Sequence, residues 1–274
     1  MLIETLSTFP HMYDSVMGES MMKRAQEKGI LEFRAHDLRD WTHDRHRTTD
    51  DDPYGGGAGL VMKCDPIFEA VEAILGKEFV EAKLAAAPPQ GESQQRSSAA
   101  PQIVFLAPQG RPFDDAYADK LAAADHLLFI CGHYEGIDER VYTLADHVIS
   151  LGDYVLTSGE LASMVVIDAA VRKLPGVLGA AEGPVDESFT SGLLEYPQYT
   201  RPADFRGMRV PEVLTSGNHA AIARWRREQS LARTAAARPD LIAAAEVAGR
   251  LTPADQKFLK LLEPAPTGAA EGVS

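Results

Sequence analysis

The first third of the chain alternates between strand-like and helix-like arrangements of apolar residues. Short apolar stretches at residues 1–6 and 31–36 predict two β-strands. Between them, apolar residues recur at near-helical spacing along residues 13–28, and Gly29 is a typical helix end, so we expect one helix there. A further helix is predicted over residues 66–75, again followed by glycine. This alternation is typical of an α/β fold.

The middle of the chain continues the alternation and predicts a ligand pocket. Residues 103–173 have the pattern strand, helix, strand, helix, strand, helix, with the strands at residues 103–106, 126–131 and 146–151. Glycine or turn-forming residues follow each strand, and glycine lets a backbone approach a ligand closely. Ligands of open α/β sheets bind outside the carboxyl ends of the strands, so we expect one pocket at that edge of a parallel sheet.

A change in composition near residue 180 predicts a second domain. Residues 179–188 are small, polar and aperiodic, as in a linker, and the chain beyond them is basic, with helical segments and no clear strand. Thr252, Pro253 and Asp255 have the order of a helix start. We therefore expect a first domain at 1–178, a flexible linker at 179–190 and a small helical domain at 191–274.

Two further segments have compositions typical of irregular structure. Residues 87–101 are rich in Pro, Ser and Gln and lack apolar periodicity, so they predict a flexible surface insertion. The last residues, 266–274, predict a frayed tail.

The charge of the chain is unevenly distributed. The net charge is −13, yet residues 201–238 contain eight arginines and three acids, a local charge of +5. A basic segment on an acidic chain is a candidate phosphate-binding surface. The alternative is a solvated helix face with no ligand.

Composition also bears on the compartment and on metals. Cys64 and Cys131 form no metal-spaced pair, and their number is typical of a reducing compartment, so we expect a cytoplasmic protein. The first residues have no basic segment followed by an apolar run, and no window approaches the ~20 apolar residues of a membrane span. His36, His43 and His46 lie in a polar segment without ligand spacing, so we expect no metal site.

Two local motifs leave alternatives open. The glycine-rich stretch at residues 52–59 is neither a P-loop nor a dinucleotide fingerprint, so it is either a permissive loop or a close approach to a flat or phosphorylated ligand. Glu135, Asp138, Glu139 and Arg140 crowd one turn after the second strand of the middle region. They are either helix-start charges with a salt bridge, or they include an acid that faces the pocket and holds an ammonium or hydroxyl group.

Eight sequence blocks together resemble one known family. In chain order they are RTTDDDPYGGGAG (47–59), LAPQGR (106–111), ICGHYEGIDERV (130–141), LGDYVLTSGEL (151–161), PGVLG (175–179), SFTSGLLEYPQYTRP (188–202), PEVLTSG (211–217) and the arginine-rich segment 224–238 with its Trp225. The chain is similar to the bacterial tRNA (guanine-37-N1)-methyltransferases of the TrmD type, within the trefoil-knotted SPOUT methyltransferases.

The resemblance implies an α/β domain knotted as a trefoil, with a parallel sheet and a helical, tRNA-binding C-terminal domain. It further implies a homodimer whose active site lies between the subunits and binds the anticodon stem-loop. S-adenosylmethionine is the implied methyl donor. By motif match, its contacts fall on Leu106, Ala107, Pro108, Gly132, Tyr134, Glu135, Gly136, Leu151, Gly152, Asp153, Tyr154, Val155, Leu156 and Gly159.

The resemblance also implies catalytic roles. Guanine N1 carries a proton, so a carboxylate base is needed, and a cation stabilises the charge that grows on O6. Arg172 matches the active-site arginine of the family. The family's base is an Asp directly before the Ser-Phe pair, where this chain has Glu187, preceded by Asp186. Register favours Glu187, and Asp186 is the alternative.

Aromatic residues and competing functions complete the expectations. Tyr134, Tyr196 and Tyr199 are either base-stacking residues or ordinary tyrosines. Competing hypotheses are a knotted methyltransferase that acts on ribose or ribosomal RNA, and an RNA-binding module that has lost catalysis. The block around residues 196–202 and the basic C-terminal segment disfavour the first, and the Glu187 departure is the only support for the second.

Overall fold

The computed structural model describes residues 1–85, 99–178 and 187–262. The chain divides into two compact units, Met1–Gly183 and Pro184–Ser274. Most of the predicted insertion and linker lies outside the described residues, as do Asp186 and the predicted tail. Within the described ranges, no helix is both long and apolar enough to cross a bilayer.

The elements follow the predicted alternation. The strands are β1 (Leu2–Ser7), β2 (Glu32–Asp37), β3 (Asp50–Asp51), β4 (Val61–Met62), β5 (Gln102–Pro112), β6 (His126–Ile130), β7 (His147–Ser150), β8 (Asp204–Phe205) and β9 (Met208–Arg209). The helices are α1 (Asp14–Met17), α2 (Ser20–Glu27), α3 (Cys64–Leu75), α4 (Lys77–Ala85), α5 (Asp115–Ala122), α6 (Gly159–Val171), α7 (Glu212–Thr215), α8 (His219–Ala237), α9 (Pro239–Val247) and α10 (Pro253–Leu262). Short 3₁₀ helices occupy Pro10–Tyr13, Leu38–Trp41 and Glu139–Leu144.

A five-stranded parallel sheet organises the first unit. Its strand order is β2-β1-β6-β5-β7, and every neighbouring pair is parallel. Leu127 and Phe129 pack into one apolar cluster, whereas Leu128 and Ile130 pack into another. Alternate residues of a strand point to opposite faces, so β6 is buried on both. The predicted α/β fold with a parallel sheet is confirmed.

The edge of the sheet contains an irregularity that shapes its carboxyl side. Leu106 and Arg111 of β5 both pair with Ile149 of β7, so the four residues between them bulge out of the ladder. A Cβ at Gly110 would lie 2.5 Å from the backbone of Ile149, so only glycine allows this close approach. The strand predicted at residues 103–106 is therefore longer than expected. After the bulge, the chain returns and pairs with β7 again.

Three predictions of secondary structure were wrong in detail. The single helix expected at residues 13–28 is interrupted at Gly18 and Glu19, where Glu19 is extended and only Ser20 begins α2. Glycine is a poor helix former, and the break directs α1 and α2 separately onto the sheet. The helix α4 was not predicted. The second unit contains the short antiparallel hairpin β8–β9, although no strand was expected there.

The second unit has its own small core. Leu193, Leu231, Ala245 and Leu251 form a buried cluster among its helices. The predicted helix start at Thr252 is confirmed, because the Asp255 N–H donates to Thr252 Oγ1 at 3.2 Å and the Thr252 N–H donates to Asp255 Oδ2 at 2.9 Å. This reciprocal pairing satisfies N–H groups that a helix start would otherwise leave without partners.

His147 on β7 makes the stability of the first unit dependent on pH. Burial, with a smaller contribution from Lys120, lowers its pKa from 6.5 to about 4. Its Nε2 lies 2.7 Å from Gln102 Oε1 and its Nδ1 lies 2.9 Å from the Tyr117 hydroxyl, an arrangement that suits the neutral ring. As the pH falls, this histidine takes up a proton at a higher pH in the unfolded chain than in the folded protein. We therefore expect the free energy of unfolding to fall by up to about 3 kcal/mol between pH 6.5 and pH 4.

Denaturant unfolding across this range checks the prediction in wild type and His147→Gln. The variant should lose that part of the pH dependence, whereas His43→Gln, at an exposed histidine, should keep it. Parallel curves for wild type and His147→Gln would contradict the assignment.

Candidate active site

A cavity of about 400 Å³ lies at the carboxyl ends of β5, β6 and β7. Its wall is made by residues 106–109 in the β5 bulge, residues 132–137 after β6, and residues 149–152 and 154–159 between β7 and α6, with Glu139, Tyr142 and Ala162. The volume is in the range of small-molecule sites. The pocket predicted at the strand ends is therefore present.

The wall brings together nearly all the residues predicted to bind the donor. Each of them contributes to it except Asp153. Gln109, His133, Ser158 and Ala162 also line the cavity and were not predicted. The glycine-rich loop at residues 52–59 does not line the cavity; its Gly59 lies against the Glu135 side chain.

Close backbone packing joins two of the cavity loops. The Gly159 N–H donates to the Gly132 carbonyl at 2.8 Å, and His133 forms an isolated β-bridge with Ser158. A Cβ at Gly159 would lie 2.7 Å from the Gly132 nitrogen, so a side chain does not fit there. Tyr134 has a φ of 60°, a conformation that costs energy for a residue other than glycine.

A buried carboxylate fixes the start of α6 beside the cavity. Glu160 has no exposed surface; one of its oxygens accepts a hydrogen bond from the Ser7 hydroxyl, and the other lies 2.7 Å from His133 Nε2. Burial acts to raise the pKa of Glu160, but the hydrogen bonds from His133 and Ser7 outweigh it, and the net pKa is below its usual value. Glu160 therefore ties the ends of β1 and β6 to α6.

Sequence reasoning missed this role, although a signal was present. Glu160 is the one acid in the first two turns of an otherwise apolar helix, and an acid in such a setting is buried only with partners. Those partners, Ser7 and His133, are distant in sequence and could not be paired with it from spacing.

The acidic turn after β6 separates into two kinds of residue. Asp138 pairs with Arg140 at 2.7 Å, and hydrogen bonds from Arg140 hold the pKa of Asp138 well below its usual range. Glu135 and Glu139 instead line the cavity. The turn therefore contains the salt bridge of the first alternative, and two of its acids are residues of the cavity wall; that one of them holds an ammonium or hydroxyl group stays a prediction.

One polar group of the wall has no hydrogen-bond partner in the part of the chain that the structure describes. The Ser158 hydroxyl is buried, and no described residue forms a hydrogen bond with it. A buried polar atom without a partner is costly, and a polar ligand in the cavity is one way to satisfy it.

Arg172, one of the predicted catalytic residues, is not among the residues of this wall. Arg172 follows the last residue of α6, the helix that begins at Gly159. At 1.5 Å per residue, that places Arg172 about 20 Å along the axis from the cavity end. Glu187 belongs to the second unit, and Asp186 lies outside the described residues.

An open parallel sheet with a ligand-sized cavity at adjacent strand ends is the arrangement in which α/β proteins bind small molecules. The family described as tRNA (Guanine-1)-methyltransferase TrmD matches residues 1–244. The chain therefore belongs to the TrmD family, and the resemblance seen in the eight sequence blocks is confirmed.

Curated relatives match nearly the full length of the chain. A tRNA (guanine-N(1)-)-methyltransferase of Symbiobacterium thermophilum is 51% identical over 260 residues, 95% of this chain and 97% of that protein. Proteins of the same name are 51% identical in Limosilactobacillus reuteri, over 90% of this chain and 92% of that protein, and 49% identical in Geotalea uraniireducens, over 96% and 97%.

Proposed function

We propose that the protein transfers a methyl group from S-adenosylmethionine to N1 of guanosine 37 in the anticodon loop of tRNA. The observation that carries this proposal is the family match over residues 1–244. The cavity at the strand ends supports it, because a methyltransferase needs a donor site of this size beside its acceptor.

The residues of the cavity fit S-adenosylmethionine. Leu106, Gly132 and Leu156 line the cavity, and backbone N–H and C=O groups at such positions are the donors and acceptors that the polar edge of an adenine ring requires. Glu135 and Glu139 supply carboxylates for an ammonium group or for ribose hydroxyls, and the Ser158 hydroxyl offers one further polar contact. The contact of Asp153 stays a prediction. When bound, the donor supplies a methyl group that its sulfonium already makes electrophilic.

The chain's own task is to prepare the guanine. In the proposed mechanism, the Glu187 carboxylate accepts the proton from N1, and Asp186 is the alternative base. The Arg172 guanidinium donates to O6, where negative charge grows as the proton leaves, and it remains charged at all working pH values. Orientation of N1 toward the methyl group supplies much of the remaining acceleration.

We infer that the working enzyme is a homodimer whose sites combine two chains. The separation of about 20 Å between Arg172 and the cavity end of α6 supports this, because an arginine side chain does not span that distance. In this arrangement, Arg172 of a second copy reaches the guanine held at the cavity.

Three further proposals follow from the family. The first unit carries a trefoil knot, which is compatible with the strand order β2-β1-β6-β5-β7 and with the contact of residue 159 against residues 131–132. The second unit binds tRNA through its arginine-rich segment. The chain has one domain at 1–178 and another at 191–274, and a linker at 179–190 joins them. The cytoplasm, where tRNA is modified, is the proposed location.

Gly159→Ala should damage the donor site selectively. Its Cβ would lie 2.7 Å from the Gly132 nitrogen and 3.0 Å from Cys131 Cα, both backbone atoms that cannot rotate away. Overpacking of this kind costs about 1–3 kcal/mol, so we expect donor affinity to fall roughly 10-fold or more. Calorimetric titration with S-adenosylmethionine measures the effect.

Gly29→Ala is the matched control. Gly29 has a positive φ, of 67°, but nothing lies within 4 Å of its added Cβ, and it does not line the cavity. It should lower stability while leaving donor affinity unchanged. Wild-type affinity in Gly159→Ala would show that the donor does not bind between these loops.

Transfer of a labelled methyl group tests the function. The purified protein is incubated with labelled S-adenosylmethionine and with two transcripts of one tRNA, carrying guanosine or adenosine at position 37. We expect label only in the guanosine transcript. Donor binding without transfer to either transcript would favour an RNA-binding module that has lost catalysis, with the Glu187 departure as its cause.

A further inference from the structure

The second unit contains a cavity of its own, with a volume of about 390 Å³. Its wall includes the aromatic residues Tyr196, Tyr199 and Trp225 and the arginines Arg201 and Arg226, beside aliphatic residues such as Val210, Leu214 and Ile222. The rings offer flat apolar faces, and the arginines offer positive charge and hydrogen-bond donors. Neither the donor site nor the proposed catalytic residues include any of these residues.

The five aromatic and arginine residues come from one helix and one loop, and α7 adds Leu214 and Thr215 to the wall. Trp225 and Arg226 are neighbours on α8, and the other three residues lie in the loop before β8. Hydrogen bonds fasten the start of that loop to the helix: the Leu194 N–H donates to Thr234 Oγ1 at 2.9 Å, and the Ser230 hydroxyl donates to the Leu194 carbonyl. The two walls are therefore held together before any ligand binds.

The rings and charges of the wall are already arranged in contact. Arg226 Cζ lies 4.8 Å from the centroid of the Tyr196 ring, and the Tyr199 and Trp225 rings are 6.4 Å apart at an angle of 52°. A guanidinium stacked on one ring keeps its second face and its edge donors for another group. Tyr199 is 49% exposed, so part of the aromatic surface remains accessible.

The charges of the segment identify which arginines remain for a ligand. Arg209, Arg224, Arg227 and Arg238 each form an ion pair with an acid. Among the described residues, no acid forms an ion pair with Arg201 or Arg226. Acids thus neutralise half of the arginines in residues 201–238. The two arginines of the cavity are not neutralised in this way.

We propose that this cavity binds one unstacked nucleobase of the tRNA substrate, with the rings stacking on the base and the two arginines contacting its edge or the adjoining phosphate. The inference rests on the proposed function. Single-stranded RNA loops are recognised by bases stacked on aromatic side chains and guanidinium planes. A cavity that combines flat rings with unneutralised arginines matches that chemistry, and an apolar peptide would leave both charges without a partner.

Trp225→Ala in the full-length protein tests the proposal. We expect tRNA affinity to fall roughly 10- to 100-fold, with the salt dependence of binding unchanged, because a stacked base is lost and no phosphate contact is removed. Trp225→Phe should restore most of the loss. Val247→Ala is the matched control: Val247 lies on α9, is 91% exposed, and belongs neither to the cavity wall nor to the arginine-rich segment, so tRNA affinity should stay within about 2-fold.

An abasic scan identifies the base. Transcripts that lack one base at each anticodon-loop position are titrated against wild type and Trp225→Ala. We expect one abasic position to weaken binding by wild type as much as Trp225→Ala weakens binding of the intact transcript. At that position, Trp225→Ala should cause no further loss of affinity, as expected for coupled partners. If Trp225→Ala unfolds the second unit, judged by its helical circular dichroism, Tyr199→Ala at the exposed ring replaces it.

The outcomes separate this inference from the proposed function. Wild type that neither binds nor methylates tRNA overturns both. If wild type methylates tRNA and the ring variants bind every transcript as wild type does, only the proposal that the cavity binds a nucleobase is overturned. A changed oligomeric mass in Trp225→Ala with unchanged tRNA affinity also overturns it, and would assign the surface to a second copy of the chain.

Discussion

Glu187→Gln should abolish methyl transfer while leaving both substrates bound. The amide has the shape of the carboxylate but cannot accept the N1 proton, and a general base contributes about 10²- to 10⁴-fold to a rate. We therefore expect kcat under single-turnover conditions to fall by that factor. The dissociation constants for S-adenosylmethionine and tRNA should change little, because the residue acts on the proton and not on binding.

Two matched variants make this result specific. Asp186→Asn tests the neighbouring acid, and Glu212→Gln removes an exposed carboxylate from the start of α7 in the same unit. We expect Glu212→Gln to behave as wild type and Asp186→Asn to retain most of the activity. If Asp186→Asn loses transfer and Glu187→Gln does not, the base is Asp186, and the register with the family is shifted by one residue.

Arg172→Ala is expected to have an effect of similar size by another route. Loss of a donor to a developing oxyanion typically lowers kcat about 10²- to 10³-fold. Arg172→Lys keeps the charge but not the planar pair of donors, so it should recover only part of the rate. Single-turnover kinetics of the three proteins measure both effects, and wild-type kcat in Arg172→Ala would exclude the arginine from the site.

Subunit mixing tests where this arginine acts. We expect Gly159→Ala to bind the donor weakly and Arg172→Ala to lack the cation that contacts O6. If each site combines the cavity of one chain with Arg172 of the other, mixed dimers contain one intact site, and activity returns after mixing and subunit exchange. If one chain supplies both, no mixture contains an intact site, and the absence of recovery would contradict the composite site.

The inner strands of the sheet could be predicted from the sequence because they are buried on both faces. Runs such as HLLFI at β6 are continuous and apolar, and they are bounded by turn residues, so periodicity and length suffice to locate them. The same signal failed at residues 13–28. There the apolar spacing continues across Gly18 and Glu19, and only packing against the sheet shows that two short helices are formed.

Most of the cavity at the strand ends could also be anticipated, since parallel strands place their following loops at one edge of the sheet. Asp153 is the one predicted donor contact that does not line this cavity, and its contact stays a prediction. The Glu160 network and the aromatic cavity were not foreseeable in this way. Each joins residues that are far apart in the chain, such as Ser7 with Glu160 and Tyr199 with Trp225.

The most direct test of the proposed reaction is the identity and position of the modified nucleoside. The protein is incubated with S-adenosylmethionine and a transcript that carries guanosines at positions 36 and 37, the RNA is digested, and the fragments are sequenced by mass spectrometry against methylguanosine standards. N1-methylguanosine at position 37, present with wild type and lost with Glu187→Gln, is the predicted result. A methyl group on another atom, on ribose or at another position would contradict it.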